Sequence, residues 1–289
     1  MNYITPSRTE DSPSLAILVN TCDAYYDVLS LFFAAFKEHW PKCPFPVFVN
    51  TERESLTLDC ASVLYSKLSK GEIRWGERLK DALAEIEADY VLMVYDDFVL
   101  EATPSIQEIS RALAFLQSNV QAGVVYLIDI RLPTDLTRSP PGYRRIKDRE
   151  DYILNSAPGI WRKSVLNRFL EPVDNPWAWE VFGSYRTHRS GVEFYTLPDS
   201  APDAFPFNHS KGGAIYRGLW VREVVEAKLA KYRPDIDPLV RGYYSETIST
   251  KRSLSYKAKF LALGFRMVGI KAFLAIFRYI KAKYEAASA

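Results

Sequence analysis

The first 130 residues alternate between short apolar runs and longer segments in which apolar residues recur at helical spacing. Continuous apolar runs predict buried strands, whereas spacing of three and four residues predicts helices. The predicted strands are 14–20, 45–52, 61–66, 90–95 and 123–129, and the predicted helices are 25–40, 76–88 and the stretch after Pro104 to about Asn119. This order predicts an α/β fold with a mainly parallel central sheet that helices cover on both faces.

The segment 131–151 interrupts this alternation. It reads RLPTDLTRSPPGYRRIKDRED and is rich in proline and charged residues. This composition is typical of a long connection, so we expect a surface loop or a mobile flap here.

Polar side chains follow three of the predicted strands. They are Asn20-Thr21-Cys22-Asp23, Asn50-Thr51-Glu52-Arg53 and Asp96-Asp97. Ligands of open α/β sheets bind beyond the carboxyl ends of the strands, so these residues are candidates for a site. The first strand is followed by neither G-x-G-x-x-G nor G-x-x-x-x-G-K-[ST], which argues against dinucleotide dehydrogenases and P-loop NTPases.

The pair Asp96 and Asp97 ends the apolar run YVLMVY. An ionised Asp is costly to desolvate, so two of them at a strand end favour a cation or a reacting proton as the explanation. Asp is also common at turns and helix caps, which is the structural alternative.

Composition fits a folded globular protein with a large core. The 289 residues are 48% apolar and 14% aromatic, and the three cysteines include no C-x-x-C pair. An odd number of cysteines argues against a disulfide framework and a thiolate zinc site, so we expect a reducing cytoplasm. The N-terminus lacks the pattern of a secretory signal, and no run approaches the ~20 apolar residues of a membrane span.

Three segments carry a resemblance to a known family. They are the polar end of the first strand, the helix WGERLKDALAEI running into DYVLMVYDDF, and the later NPWAWE. Over roughly 14–222 the chain resembles bacterial glycosyltransferases of the GT-A fold, especially those that build capsule or O-antigen polysaccharide. The resemblance implies a GT-A-like sheet and a nucleotide-sugar donor.

In that fold the acidic motif after the central strand is usually Asp-x-Asp, which holds a divalent cation, Mn²⁺ or Mg²⁺, against the donor diphosphate. This sequence has Tyr95 at the first acidic position, and the last acid of the motif corresponds to Asp97. The resemblance therefore implies Asp97 as a metal ligand, with a weak or single-carboxylate site as an alternative. Asp96 is a candidate for the cation or for a ribose or sugar hydroxyl.

Glu180 follows two indole rings in VDNPWAWEVFGSYR. Pro176 after Asn175 predicts the start of a short helix that carries Glu180. Inverting GT-A families place an acid in a comparable segment, so Glu180 is the candidate general base. The alternative makes Trp177 and Trp179 core residues and Glu180 a solvated helix position.

The resemblance implies further contacts in FPFNHSKGGAIYRGLW and near the donor site. His209 is a candidate metal ligand and Lys211 a candidate phosphate contact, although a lone His is often structural. Arg78 is a candidate nucleotide contact or an exposed helix charge. Asn20, Thr21 and Asp23 are candidates for base and ribose binding, or for capping the following helix.

The C-terminal tail differs in charge from the rest of the chain. Nine of the 37 Lys and Arg residues lie between Glu246 and Glu285 without an acid, which leaves 28 to face 35 acidic residues. A body this acidic argues against nucleic-acid binding. An apolar stripe at helical spacing accompanies the basic residues, and its members are Leu261, Phe265, Val268, Ala272, Ile276 and Ile280.

We therefore expect a glycosyltransferase domain over 1–245 and a basic amphipathic helical tail over 246–289. The tail over 254–284 is predicted to lie on anionic lipid at the inner face of the cytoplasmic membrane. The alternative is a helix that docks on the protein itself or on a second subunit.

The predicted function is transfer of a sugar from a nucleotide donor to a lipid-linked or polysaccharide acceptor, with metal and with inversion. A catalytically inactive carbohydrate-binding or scaffold protein is the alternative, because the first acid of the motif is replaced by Tyr95.

Overall fold

The computed structural model describes residues 14–52, 58–65, 74–246 and 253–288. The strands are β1 Leu15–Asn20, β2 Val47–Thr51, β3 Ser62–Tyr65, β4 Tyr90–Tyr95, β5 Ala122–Tyr126, β6 Arg144–Arg145, β7 Gly159–Arg162, β8 Glu193–Thr196, β9 Ile215–Tyr216 and β10 Leu219–Trp220. The helices are α1 Tyr26–His39, α2 Trp75–Glu85, α3 Ile106–Ser118, α4 Lys163–Phe169, α5 Pro176–Val181, α6 Arg222–Tyr232, α7 Pro238–Arg241, α8 Leu254–Val268 and α9 Lys271–Ser288.

Eight strands form one sheet in the order β3-β2-β1-β4-β7-β5-β8-β6. The pairs β1/β2, β1/β4, β2/β3 and β5/β8 are parallel, whereas β7 and β6 run antiparallel to their neighbours. The predicted α/β fold with a mainly parallel sheet is therefore confirmed.

The two faces of the sheet carry separate apolar cores, because successive strand residues point to opposite sides. Ile17 and Val19 of β1 join a core with residues of α1, α3 and α6. Ala16 and Leu18 join a second core with residues of α2 and α4 and with Trp179 of α5. Covering both faces explains why β1 is buried at every position.

The segment 131–151 is more ordered than a flap. Arg144 and Arg145 pair with Thr196 and Tyr195 at the edge of the sheet. Tyr143, Arg145 and Ile146 are buried. The segment is otherwise a long irregular connection, as expected, but it also supplies the outermost strand of the sheet.

The tail is helical, as predicted, but it forms two helices. Gly269 ends α8 at a φ of 60°, between Val268 and Ala272 of the predicted stripe. Ala272 is buried, while Leu261, Phe265, Val268 and Ile276 are half-buried; the side chain of Ile280 lies outside the described residues.

One face of this helical pair docks on the body of the protein. Phe260 lies 5.0 Å from the ring of Phe182, and a methyl group at Gly264 would lie 2.5 Å from the same ring. Arg278 bonds Asp151 at 3.0 Å. The docked-helix alternative thus describes one face of the tail.

The opposite face is apolar and open to solvent. Ile270, Phe273, Leu274 and Phe277 are 79%, 56%, 53% and 68% exposed. Ile270 immediately precedes α9, and the spacing of three and four residues places all four side chains along one side of this helix. We call these four residues the outer face of α9.

Some residues named in the sequence predictions lie outside the described ranges. The first thirteen residues, Arg53 and the basic pair Lys251 and Arg252 lie outside the described residues. Within the described ranges, every helix is too short or too polar to span a bilayer.

Candidate functional site

The polar ends of β1, β2 and β4 meet at one edge of the sheet. Asn20 is in register with Asn50 on one side and with Tyr95 on the other. The Asn50 amide donates to Asn20 Oδ1 at 2.8 Å, and the Asn20 amide donates to the carbonyl of Val94 at 3.4 Å. Asn20, predicted to bind the nucleotide, is therefore buried and joins the three strands.

Thr21 and Asp96 form the next contact at this edge. The Thr21 hydroxyl donates to Asp96 Oδ2, and both residues are buried. Burial and the charge of Asp97 raise the pKa of Asp96 well above its ordinary value, while the Thr21 hydrogen bond opposes this rise. Asp96 is thus fixed in place with Thr21 as its partner.

Asp97 lies beside Asp96 and is partly exposed. Burial raises its pKa to about 7, and its own backbone N–H opposes the rise. A Cβ at Gly213 would lie 2.8 Å from Asp97 Oδ2, and the Ala214 N–H donates to the Asp97 carbonyl at 2.8 Å. The glycine therefore leaves room directly against the carboxylate.

Asp97 offers the kind of oxygen ligand that a divalent cation prefers, whereas Asp96 Oδ2 already accepts from the Thr21 hydroxyl. Mg²⁺ and Mn²⁺ prefer oxygen ligands and often take only one or two carboxylates beside phosphate oxygens. Burial is the largest cause of the raised pKa of both acids, and a bound cation would favour their ionised forms. Among the described residues, no three His, Cys, Asp or Glu side chains converge in a way that could hold a metal ion.

Arg78 reaches this edge from α2. It is 4% exposed and donates to the carbonyl of Thr21 at 2.8 Å. Burial lowers its pKa, and the negative charge of Glu52 is the largest opposing effect. The position is not that of an exposed helix charge, because the guanidinium lies beneath the loop that follows β1.

Asp23 belongs to the same loop. Its N–H donates to Glu52 Oε2 at 3.0 Å, and its carboxylate accepts a hydrogen bond from the Tyr26 hydroxyl at 3.0 Å. These contacts hold the loop after β1 against the loop after β2.

Arg241 of α7 is a charged neighbour that the sequence did not indicate. Its guanidinium donates to Asp27 at 2.7 Å and to the Gly218 carbonyl at 3.0 Å. It lies 4.5 Å from the ring of Tyr25, and its charge lowers the pKa of Asp96. No local motif marks this residue, because its partner Asp27 is 214 residues away in sequence.

Glu180 lies on α5, which begins as predicted. Asn175 caps the helix by accepting from the Ala178 N–H at 2.8 Å, with Pro176 in the first turn. Glu180 Oε1 accepts from the Ser156 N–H at 2.7 Å, and burial raises the pKa of the carboxylate.

Glu180 and the end of β4 are electrostatic neighbours. Burial raises the pKa of the Tyr95 hydroxyl, and the charge of Glu180 adds to this rise. Two of the predicted groups, Asp96-Asp97 and NPWAWE, therefore meet around Tyr95. Trp179 is in the core, whereas Trp177 is 61% exposed, so only one of the two indoles is a core residue.

His209 and Lys211 lie on the segment that passes over Asp97. His209 Nε2 is 3.1 Å from Asp203 Oδ2, and its ring contacts Phe207. The Lys211 ammonium is 5.3 Å from the ring of Tyr244 and 3.9 Å from Glu246. Asp203 is thus the hydrogen-bonding partner of His209 in the structure. The role of His209 as a metal ligand stays a prediction.

Comparison with known proteins gives weak likenesses. No protein-family model and no curated protein matches the chain. S. aureus TarS residues 1–349 in complex with UDP-GlcNAc is 12% identical with a TM-score of 0.41, over 95% of this chain and 92% of that one. The same protein with UDP is 13% identical with a TM-score of 0.44, over 93% and 88%.

An active-site mutant of LgtC is 11% identical with a TM-score of 0.33, over 62% of this chain and 66% of that one. At such scores and identities, the solved structures are similar to this chain without establishing a common family or activity.

Substitution of Gly213 tests the close contact with Asp97. Gly213→Ala places a methyl group 2.8 Å from the carboxylate, so we expect a loss of about 1–3 kcal/mol in the free energy of unfolding, the usual range for overpacking. Gly212→Ala is the matched control, because Gly212 also has a positive φ but its added methyl would contact nothing within 4 Å. Urea unfolding measures both; equal losses would contradict the predicted contact.

Proposed function

We propose that this chain is a nucleotide-sugar glycosyltransferase. The observation that carries the proposal is the placement of Asp97 against Gly213 just after β4. The charge of Glu180 acts on Tyr95, which is the last residue of the same strand. Asp97, through a cation, suits the leaving diphosphate, and Glu180 suits the attacking hydroxyl. The sequence resemblance to GT-A glycosyltransferases supports the same assignment.

The reaction transfers a sugar between two oxygens. The acceptor oxygen forms a bond to the anomeric carbon, the bond from that carbon to the nucleotide diphosphate breaks, and the acceptor proton leaves. Negative charge grows on the diphosphate and must be neutralised. A divalent cation held by Asp97, with Asp96 beside it, would supply positive charge there.

Protein groups supply the remaining functions. Thr21 holds Asp96, and the buried guanidinium of Arg78 sets positive charge beneath the loop after β1. Lys211, on the segment that passes over Asp97, is the proposed phosphate contact. Trp177 offers an exposed aromatic face that suits the C–H surface of a sugar.

Glu180 is the proposed general base for an inverting reaction. A carboxylate accepts a proton best when its pKa lies near the working pH, and burial moves the pKa of Glu180 upward. The Ser156 N–H fixes the direction of the carboxylate.

The proposed acceptor is lipid-linked or a growing polysaccharide at the cytoplasmic face of the membrane. The outer face of α9 suits membrane contact, because its four large apolar side chains are more than half exposed. Lys259, Lys271 and Lys281 are exposed on the same pair of helices. Basic residues near anionic lipid contribute ~1 kcal/mol each, and apolar side chains enter the headgroup boundary.

Nucleotide binding tests the role of Asp97. In wild-type protein, we expect Mn²⁺ to strengthen the thermal stabilisation produced by one member of a panel of nucleotide sugars, since a ligand of the folded state raises its stability. Asp97→Asn should abolish the Mn²⁺ effect. Asp235→Asn, which changes an exposed acid elsewhere, is the control. An unchanged metal dependence in Asp97→Asn would remove this residue from the site.

Kinetics test Glu180. Glu180→Gln should lower kcat by about 10²–10⁴-fold with little change in donor affinity, because only proton transfer is lost. The base works when ionised, so wild-type kcat should fall as pH drops through the raised pKa of Glu180, and the variant should lack this limb. Glu223→Gln is the exposed control. A fully active Gln variant, or a product of retained configuration, would exclude the general base.

Vesicle binding tests the outer face of α9. Phe273→Ser combined with Phe277→Ser should weaken binding to phosphatidylserine vesicles about tenfold or more, because two large apolar side chains leave the interface. Val120→Ser with Leu136→Ser changes two exposed apolar residues elsewhere and should have no effect. High salt should weaken wild-type binding only in part. Equal binding of the two double variants would refute the membrane contact.

A further inference from the structure

A cavity of about 420 Å³ lies apart from the site around Asp97. Gln121 and Glu193, at the amino ends of β5 and β8, line it. Because β5 and β8 run parallel to β4, their amino ends face the edge opposite to Asp96 and Asp97. The volume falls in the range of cavities that hold small molecules.

The lining of this cavity is rich in arginine. Four arginines line it, together with two carboxylates, Asp148 and Glu193. Glu193 accepts hydrogen bonds from Arg138 at 2.7 Å and from Arg145 at 2.9 Å, and Asp148 accepts from Arg145 at 2.7 Å. Arg145 therefore engages both lining carboxylates, and Arg138 engages Glu193 as well.

The other two arginines, Arg149 and Arg189, have no such compensation. Neither guanidinium forms an ion pair with a carboxylate within the part of the chain that the structure describes. Two positive charges in the lining are thus left for a ligand.

The backbone holds these two arginines in an uncommon conformation. Arg149 and Arg189 have φ values of 66° and 64°. For residues other than glycine this region costs roughly 1–2 kcal/mol, and such strain is often found where side chains are aimed at a ligand. Two of the four cavity arginines are therefore placed at a cost in backbone energy.

Further positive charge comes from α9, and His188 contributes a buried ring nitrogen to the lining. The Nε2 atom of His188, which lines the cavity, is buried and has no hydrogen-bond partner among the described residues. Burial lowers the pKa of His188, and the charges of Arg278, Lys271 and Arg149 lower it further. Arg278 also bonds the Arg149 carbonyl at 2.9 Å, which ties the cavity to the tail.

We propose that this cavity binds the phosphate group of a small phosphorylated ligand. Arginine presents several fixed donors that match phosphate oxygens. A phosphate group also carries the negative charge needed to neutralise Arg149 and Arg189. Arg145, which is 4% exposed and held by Glu193 and Asp148, forms the rigid wall of the site. The proposal stands independently of the glycosyltransferase assignment.

Histidine NMR provides a local readout, because the chain has only three histidines. Inorganic pyrophosphate is titrated into the full-length protein in EDTA, with His188→Gln used to assign the His188 signal. We expect the His188 signal to shift saturably and its pKa to rise, since a bound anion offsets the surrounding positive charge. His39 serves as the reference, and His209 reports on the separate site near Asp97.

Arginine variants locate the anion. Arg149→Asn and Arg189→Asn should each weaken the pyrophosphate effect on His188 about tenfold or more, because each removes one guanidinium; Asn tolerates positive φ. Arg233→Asn is the matched control, since Arg233 also has a positive φ and is exposed elsewhere. Its titration should match that of the wild type.

A short-chain phosphatidic acid, kept below its micelle concentration, separates two sources of phosphate. Tighter Arg149- and Arg189-dependent binding of this lipid than of pyrophosphate identifies a lipid headgroup, and the reverse identifies a free phosphorylated molecule. If neither compound shifts His188, or if both arginine variants titrate like the wild type, the proposed site is overturned.

Discussion

Two adjacent carboxyl groups at the end of a buried strand form the constraint on which the candidate site depends. Asp96 and Asp97 follow β4 with no intervening residue, so their charges repel each other in a poorly solvated place. The rest of the edge offsets that cost: Thr21 donates to one carboxylate, and the positive charge of Arg241 acts on the same group. A fold keeps such an arrangement stable only if several elements contribute to it.

Those contributions come from distant parts of the chain. The sheet brings β1 beside β4, the segment ending at Ala214 passes over Asp97, and α7 returns to bond Asp27 near the start of α1. Gly213 is needed where the passing backbone comes closest to the carboxylate. The C-terminal half of the chain thus packs around Asp96 and Asp97, which belong to the N-terminal half.

Hydrophobic pattern predicted β1 to β5, because runs of apolar residues mark most of these strands. The bounds of β4 and the capped start of α5 agree with the sequence reading. The pattern missed β6, β7 and β8 of this sheet. β6 is a two-residue edge strand of arginines, and the partner of Arg145, Glu193, is far away in sequence.

Long-range partners were also invisible in sequence. Arg241 is held by Asp27, which is 214 residues away in sequence, and the cavity beside Arg149 is lined by residues of both β6 and β8. Candidate residues next to strand ends were easier to find, since chemistry and position coincide there.

The tail shows why periodicity alone does not assign an environment. A helix with apolar residues around much of its circumference has more than one apolar face, and sequence does not say which face meets the protein. Gly264 determines which face of α8 meets the protein, because the lack of a side chain at this position lets the helix approach Phe182 closely.

With this face of α8 packed on the protein, α9 follows directly in the chain, and its residues Phe273 and Phe277 are exposed to solvent. Phe182 directly follows α5, the helix that carries Glu180, so the contact that fixes the exposed surface of the tail also supports the helix of the proposed base. The tail therefore packs, through Phe260 and Gly264 of α8, directly against the residue that follows the helix of Glu180.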